Sequence, residues 1–250
     1  MAGLEPPLPA TPGCRRFATT RWSLVIRAGE KWAEGSAEAL TTLCETYWYP
    51  LYAYARRRGL DVEDAQDLTQ GFFARVLSGD FLEQATPERG RFRAFLVTAF
   101  KNFLANSRDY ATADKRGGGH RPLSLEDAEA RYAREPADEA TPETLYEQRW
   151  ALTLIQNTLE ELERRADRAG RRRQFECLRP LLTGDETPYK QIGGQLTISE
   201  AAVKVAVHRL RRQFANVLRD LIADTVESPE AIDDELRYLM RVIIEFRVNR

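Results

Sequence analysis

The stretch Tyr189-Lys-Gln-Ile-Gly-Gly-Gln-Leu-Thr-Ile-Ser-Glu-Ala-Ala-Val-Lys-Val-Ala-Val-His-Arg-Leu-Arg-Arg212 decides how this chain is read. Ile192 and Leu196 stand four apart, the inner side of a short helix. A turn of three residues ends at Ser199, a residue type that caps helix N-termini by accepting a backbone N–H. Beyond it Val203, Ala206, Val207, Leu210 and Phe214 recur at three and four, a helix face made for burial. The opposite face carries Lys204, Val205, His208, Arg211 and Arg212, with Arg209 on its flank. Gly193 and Gly194 permit the two helices to pack closely. This is the layout of a helix-turn-helix, whose second helix enters the DNA major groove while arginines hold phosphates. The plainer alternative is an amphipathic surface helix that happens to be basic.

Outward from this motif, strand signals are nearly absent and helical periodicity prevails. Ser36 to Arg58 reads as a helical region, interrupted or kinked at Pro50. Asp61 caps a helix to about Ser78, with Leu68, Phe72, Val76 and Leu77 turned inward. Arg91 to about Arg116 reads as another, with Phe92, Phe95, Leu96, Ala99, Phe103 and Leu104 in its core stripe. Gly117, Gly118 and Gly119 then open an acidic, proline-containing stretch without sustained periodicity, save for a piece such as Ser124 to Arg134. Thr141-Pro142-Glu143 combines cap, first-turn proline and first-turn acid. The helix it starts runs through Trp150, Leu154, Ile155, Leu159 and Leu162. Further helices are expected at Phe175 to Leu182, Pro188 to Leu196 and Ser199 to about Thr225. The last covers Ala231 to about Phe246 and is capped by Ser228-Pro229-Glu230. The expected fold is all-α: a flexible leader (1–20), a helical domain (21–116), a flexible linker (117–141), a second helical domain (142–226) and a C-terminal helical extension (227–250).

The composition, 43% hydrophobic and 30% charged, suits a soluble folded chain. No run approaches the roughly 18 apolar residues of a membrane span. The leader has Pro6, Pro7, Pro9 and Pro12 but no stretch of signal-peptide type, so a cytoplasmic location is expected. Net charge is −1, yet the signs are segregated. Acids gather at 61–67 and 126–143, bases at 89–101, 164–173 and 204–212, an arrangement that suits two partners of opposite charge. Cys14, Cys44 and Cys177 fit neither a disulfide framework nor a zinc site. His208 has only His120 as a second histidine in the chain, and no ligand cluster stands beside it. There is no Gly-x-x-x-x-Gly-Lys loop, Gly-x-Ser-x-Gly elbow or His-Glu-x-x-His site. The triple glycine lacks the preceding strand and following lysine of a phosphate cradle. No catalytic residue, metal or cofactor is expected.

The helix from Ser199 to Arg212 resembles the second helix of region four in sigma factors of the extracytoplasmic-function group, where Thr-Val-Lys-Ser-Arg-Leu-His-Arg-Ala-Arg is common. An independent stretch, Asp61-Val-Glu-Asp-Ala-Gln-Asp-Leu-Thr-Gln-Gly-Phe-Phe-Ala-Arg-Val-Leu77, resembles region two of the same family, often Asp-Ala-Glu-Asp-Leu-Val-Gln-Glu-Val-Phe. The resemblance implies that Asp64, Asp67 and Gln70 dock on the clamp helices of the largest subunit of core RNA polymerase. Read alone, Asp64 and Asp67 are helix-start acids answering the macrodipole. Arg91 to Tyr110 is similar to the later part of region two, whose pattern is Phe-Arg-Ala-Trp-Leu, then Ala-Arg-Asn, then Asp-x-x-Arg; Phe95 replaces the common tryptophan. The resemblance implies that this helix traps unpaired bases of the minus-ten element, with Lys101, Asn102, Asn106, Arg108 and Tyr110 as candidates. Amide edges and aromatic platforms beside cations are the chemistry that holds single strands. Lys204, Val205, His208, Arg209, Arg211 and Arg212 are the candidates for the minus-thirty-five element. The resemblance spans Ser36–Arg116 and Thr141–Asp224, and implies a sigma factor whose partners are core polymerase, promoter DNA and an anti-sigma factor. The rival readings are a conventional helix-turn-helix regulator that binds duplex operators as a dimer without polymerase, and a helical adaptor that binds only protein.

Overall fold

In the computed structural model, which describes residues 28, 36–77, 91–110, 125–134, 140–182, 184, 186–226 and 228–248, every regular element is helical. In chain order these are α1 (Ser36–Arg57), α2 (Val62–Leu77), α3 (Phe92–Tyr110), α4 (Leu125–Tyr132), α5 (Pro142–Arg168), α6 (Arg172–Leu178) running into a tight turn (Arg179–Leu182), α7 (Tyr189–Leu196), α8 (Glu200–Ala223) and α9 (Pro229–Val248). The all-α expectation therefore stands for the described residues. The leader 1–20 lies outside them. No helix among them is long and apolar enough to cross a membrane.

The helix starts follow from side-chain chemistry already visible in the sequence. Asp61 Oδ1 accepts the Asp64 N–H at 2.8 Å, Thr141 Oγ1 accepts that of Thr144 at 3.1 Å, and Ser228 Oγ accepts that of Ala231 at 3.3 Å. Each satisfies a donor that the first helical turn leaves without a partner. Pro50 does not interrupt the helix. It sits inside α1, which runs from Ser36 to Arg57 as one helix. A proline costs a helix interior about 3 kcal/mol. Around it Tyr47, Tyr49, Leu51, Tyr52 and Tyr54 are all buried, and that burial offsets the lost hydrogen bond.

Two hydrophobic cores form. The first joins Leu43, Tyr47 and Leu51 of α1, Phe72 of α2, and Phe92, Leu96 and Phe100 of α3. Its rings meet edge-on, Phe72 with Phe100 at 5.0 Å and Tyr47 with Phe92 at 5.4 Å between centroids, the geometry aromatic quadrupoles favour. The second joins Leu162, Phe175, Leu178, Ile192, Val203, Val207 and Leu210.

The division between the cores does not fall at residue 141, where periodicity resumes. Leu145, Tyr146, Trp150 and Leu154 at the start of α5 belong to the first core, while Leu162 and Ala166 near its end pack in the second. The most extensive helix pairing is α1 with α5. Conversely α8 contributes Val203 to Val217 to the second core, then Leu218 and Ile222 to the first. The C-terminal extension is part of the same body: Ile232, Leu239 and Val242 of α9 complete the first core. The physical reason is length. A helix of 27 residues extends about 40 Å at 1.5 Å per residue, more than one small core can cover.

Two polar clusters fasten this arrangement. The first seats α4, inside the expected linker, on α1. Glu129 takes two hydrogen bonds from the Arg56 guanidinium, at 2.9 and 3.2 Å, and a third from the Tyr52 hydroxyl at 2.6 Å. Arg131 lies over the Tyr49 ring at 3.9 Å and Arg56 over Tyr132 at 4.9 Å, cation–π contacts that add to the docking.

The second cluster is buried. Arg93, on α3, is 6% exposed and donates to Glu147 of α5 and to Glu235 of α9, each at 2.5 Å. Arg91 reaches the same Glu235 at 2.9 Å. The Arg93 guanidinium lies 4.0 Å from the centre of the Tyr238 ring and 4.8 Å from that of Trp150, and the Tyr146 hydroxyl donates to the Arg93 carbonyl at 2.9 Å. Burial opposes the Arg93 charge, but the hydrogen bond and charge of Glu235 outweigh it and hold the guanidinium above its ordinary range. Burial pushes the Glu147 carboxyl up, with Arg93 opposing and the Glu235 charge reinforcing. Removing one partner of such a cluster leaves a buried charge uncompensated, at a cost of about 3–5 kcal/mol.

The Arg56 hydrogen bond holds the Glu129 carboxyl below the ordinary carboxylate range, against the opposing effect of burial. A carboxylate depressed in the folded state adds stability that is present above its unfolded value and lost as pH falls through the folded one. Backbone-amide protection of α4 should therefore fall on acidification below about pH 4. Glu129→Gln should show low protection in α4 already at neutral pH, with little further change in acid. Hydrogen exchange of residues 125–132 checks both.

Candidate nucleic-acid interface

The turn between α7 and α8 is built from backbone constraints. Thr197 takes the left-handed conformation, φ 57°, and its N–H donates to the Gly193 carbonyl. The Ile198 N–H donates to the same carbonyl at 3.0 Å. Ser199 then accepts the Ala202 N–H at 3.2 Å and α8 begins. The two glycines part company here. A Cβ on Gly193 would lie 2.7 Å from the Ile198 carbonyl oxygen, whereas one on Gly194 meets nothing within 4 Å. Close approach therefore rests on Gly193 alone. Beneath the turn Ile192, Val203 and Val207 are buried, as their spacing predicts. Arg173 of α6 ties to the end of α7 by donating to the Gln195 carbonyl at 3.0 Å.

The outer face of α8 is displayed. Val205 is 52% exposed, and His208, Arg209 and Arg212 are exposed along the same side. An apolar residue held in solvent between cations suits a surface that meets thymine methyl groups and phosphates. Lys204 and Arg211 sit on one flank. Lys204 pairs with Glu200 at 3.1 Å, an exposed pair worth about 0–1 kcal/mol and easily exchanged for a phosphate. Arg211 donates to the Leu181 carbonyl at 3.3 Å, so it braces the turn before α7 as well as facing solvent. Arg209, on the other flank, joins Arg165 and Arg171 around a groove floored by Leu162, Phe175 and Leu178. Sequence reading passed over this groove because its walls come from three helices.

On α3, Asn102 and Asn106 are exposed. Lys101 is engaged: its ammonium lies 2.7 Å from Glu143 of α5 and 5.9 Å from the centre of the Tyr54 ring. The lysine holds the Glu143 carboxyl below the ordinary range. The side chains of Arg108 and Tyr110 lie outside the described residues. On α2, Asp64 and Asp67 are exposed and Gln70 is half-buried, while Phe72 faces the core. The carboxylates Glu143, Glu147 and Glu235, which engage the cations of α3, were not legible in the sequence. Only the packing of α5 and α9 against α3 brings them there. Among the described residues no three His, Cys, Asp or Glu side chains are placed to hold a metal ion.

Comparison of the chain with models of known protein families, with curated proteins and with solved structures returns no match.

Paired substitutions test the turn. Gly193→Ala forces a carbonyl or a helix to move and should lower the thermal midpoint by several degrees, with weaker protection of α7 and the start of α8. Gly194→Ala should be neutral or stabilising by up to about 1 kcal/mol, since alanine exceeds glycine in helix propensity. Calorimetry with hydrogen exchange separates the two.

Proposed function

We propose that this protein is a transcription initiation factor of the sigma type, which binds core RNA polymerase and promoter DNA and acts in the cytoplasm. The observation that carries the reading is the α7–α8 geometry. A capped helix is held tight to its neighbour through Gly193 and presents Val205, His208 and Arg212 to solvent. In this reading α8 lies in the major groove of the minus-thirty-five element. Arg209, Arg211, Arg212 and Lys204 meet phosphates, and Val205 and His208 face base edges. Asn102 and Asn106 of α3 supply amide edges to unpaired bases of the minus-ten element. The exposed pair Asp64 and Asp67, with Gln70, offers polymerase an acidic surface on a rigid helix. The chain performs no chemistry of its own and acts by positioning.

Run-off transcription with core polymerase on promoter-sized genomic fragments tests this directly. Start sites should appear only when the protein is added, and vanish with Asp64→Ala/Asp67→Ala while duplex contacts by α8 persist. Arg212→Ala should weaken promoter use about equally across promoter sequences and lower the slope of log affinity against log salt by about 1, because fewer counterions are released. Tight duplex binding without polymerase, and no protein-dependent start sites, would instead identify a conventional helix-turn-helix regulator.

A further inference from the structure

Every cation of residues 91–107 is held by a carboxylate from another part of the chain. Arg91 meets Glu235 and Arg93 meets Glu235 and Glu147, while Lys101 meets Glu143. The acids come from the first two turns of α5 and from α9. None comes from α1 or α2, which also pack in the first core beside α3. The basic side of α3 is thus covered by acids that follow it in sequence by 40 residues or more.

We infer that Glu143, Glu147 and Glu235 form an intramolecular latch, in which α9 and the start of α5 stand in for nucleic-acid phosphate and keep the cationic side of α3 covered until nucleic acid displaces them. The inference rests on the reading of α3 as a nucleic-acid surface. Three features separate a latch from ordinary core packing. First, the contact with the cations of residues 91–101 is made of charge. Apolar residues of similar volume would bind α9 at least as firmly, whereas carboxylates on guanidinium groups can be exchanged for phosphates of the same charge and geometry. Second, α9 is attached on one side only. Its inner face carries Ile232, Leu239 and Val242, while Met240 and Ile244 on its outer face are 51% and 56% exposed. Third, a short turn joins α9 to α8, where Thr225 donates to the Ile222 carbonyl at 3.0 Å through its N–H and accepts the Phe92 N–H at 3.4 Å with its own carbonyl. That bond and the burial of Val226 beside it tie the turn to the first core, not to the second.

Two measurements on the full chain decide the matter. The first is fluorescence anisotropy with a labelled single-stranded oligodeoxynucleotide at fixed salt. Glu143→Gln/Glu235→Gln should bind at least tenfold more tightly than the natural chain. Glu186→Gln/Glu245→Gln, which removes the same charge from exposed sites, should change binding by less than twofold. Equal affinities for the two double variants overturn the inference. The second is native-state hydrogen exchange, first on the natural chain and then on Glu235→Gln. The amides of α9 should exchange through an opening of their own, faster than those of Val203 to Val217, and Glu235→Gln should accelerate α9 tenfold while leaving Val203 to Val217 unchanged. Exchange of α9 only through global unfolding overturns the latch. If α9 opens as expected but the latch variant binds no better than its control, the masking role falls. The proposed function falls with it only if Arg212→Ala also leaves duplex binding untouched.

Discussion

Arg93 is a guanidinium taken almost wholly out of water, and the assembly of three helices depends on how its charge is met. It sits one residue inside α3, between Glu147 of α5 and Glu235 of α9, with an aromatic ring on each helix to cover it. Arg91 supplies a second cation to Glu235, so the cluster of two arginines and two glutamates is neutral as a whole. Neutrality makes the burial tolerable. A lone charge in that position would cost several kcal/mol. The cluster also fixes angle and register, because a planar guanidinium donates to its carboxylates only along its N–H directions.

With α3, α5 and α9 joined at that point, the two cores cease to be independent. Helix α5 leaves the first core and enters the second, and α8 makes the return journey. The helix-turn-helix occupies the outer end of α8, while the inner end of the same helix is buried with Leu218 and Ile222 against the first core. A rigid helix transmits orientation along its length. The exposed basic side of α8 therefore has a fixed setting relative to α3 for as long as α9 stays docked. In the proposed function both surfaces engage one promoter, so their mutual setting is a quantity the protein controls.

Much of this was legible in the residues, for identifiable reasons. Caps declare themselves locally, and Asp61, Thr141, Ser199 and Ser228 each stand where a helix begins. The burial of Val203, Val207 and Leu210 follows from spacing alone. Pro50 leaves α1 unbroken because the aromatic burial around it is tertiary and offsets its local cost. Gly193 and Gly194 are equivalent in sequence and differ only in what stands opposite: a carbonyl in one case, open space in the other. The loss of periodicity after Gly117 was genuine, yet a break in periodicity marks the end of a helix and not the end of a core. Glu129 lies in that acidic stretch and reads as a solvated charge until Arg56 and Tyr52 are placed beside it. The partners of Lys101 and Arg93 were beyond reach for the same reason.

The exposure of the α3 cations sets an order for release if phosphate competes for them. Lys101 and Glu143 are 39% and 48% exposed, so water screens their attraction and a competing anion can approach without opening anything. Arg91, at 36%, presents an edge to solvent while its carboxylate partner stays at 2%. Arg93 is reachable only after α9 has moved, because Tyr238 and Trp150 cover its guanidinium. A phosphate backbone arriving at the Lys101 end would meet the weakest restraint first, then one half-open to water, then the buried one. Each exchange replaces a carboxylate with an anion of like charge, so the arginines are never left bare. Opening α9 also exposes its apolar face, Ile232, Leu239 and Val242, so the ion pairs and this buried area together oppose release. Charge decides what can displace the helix, and both terms decide how readily it leaves.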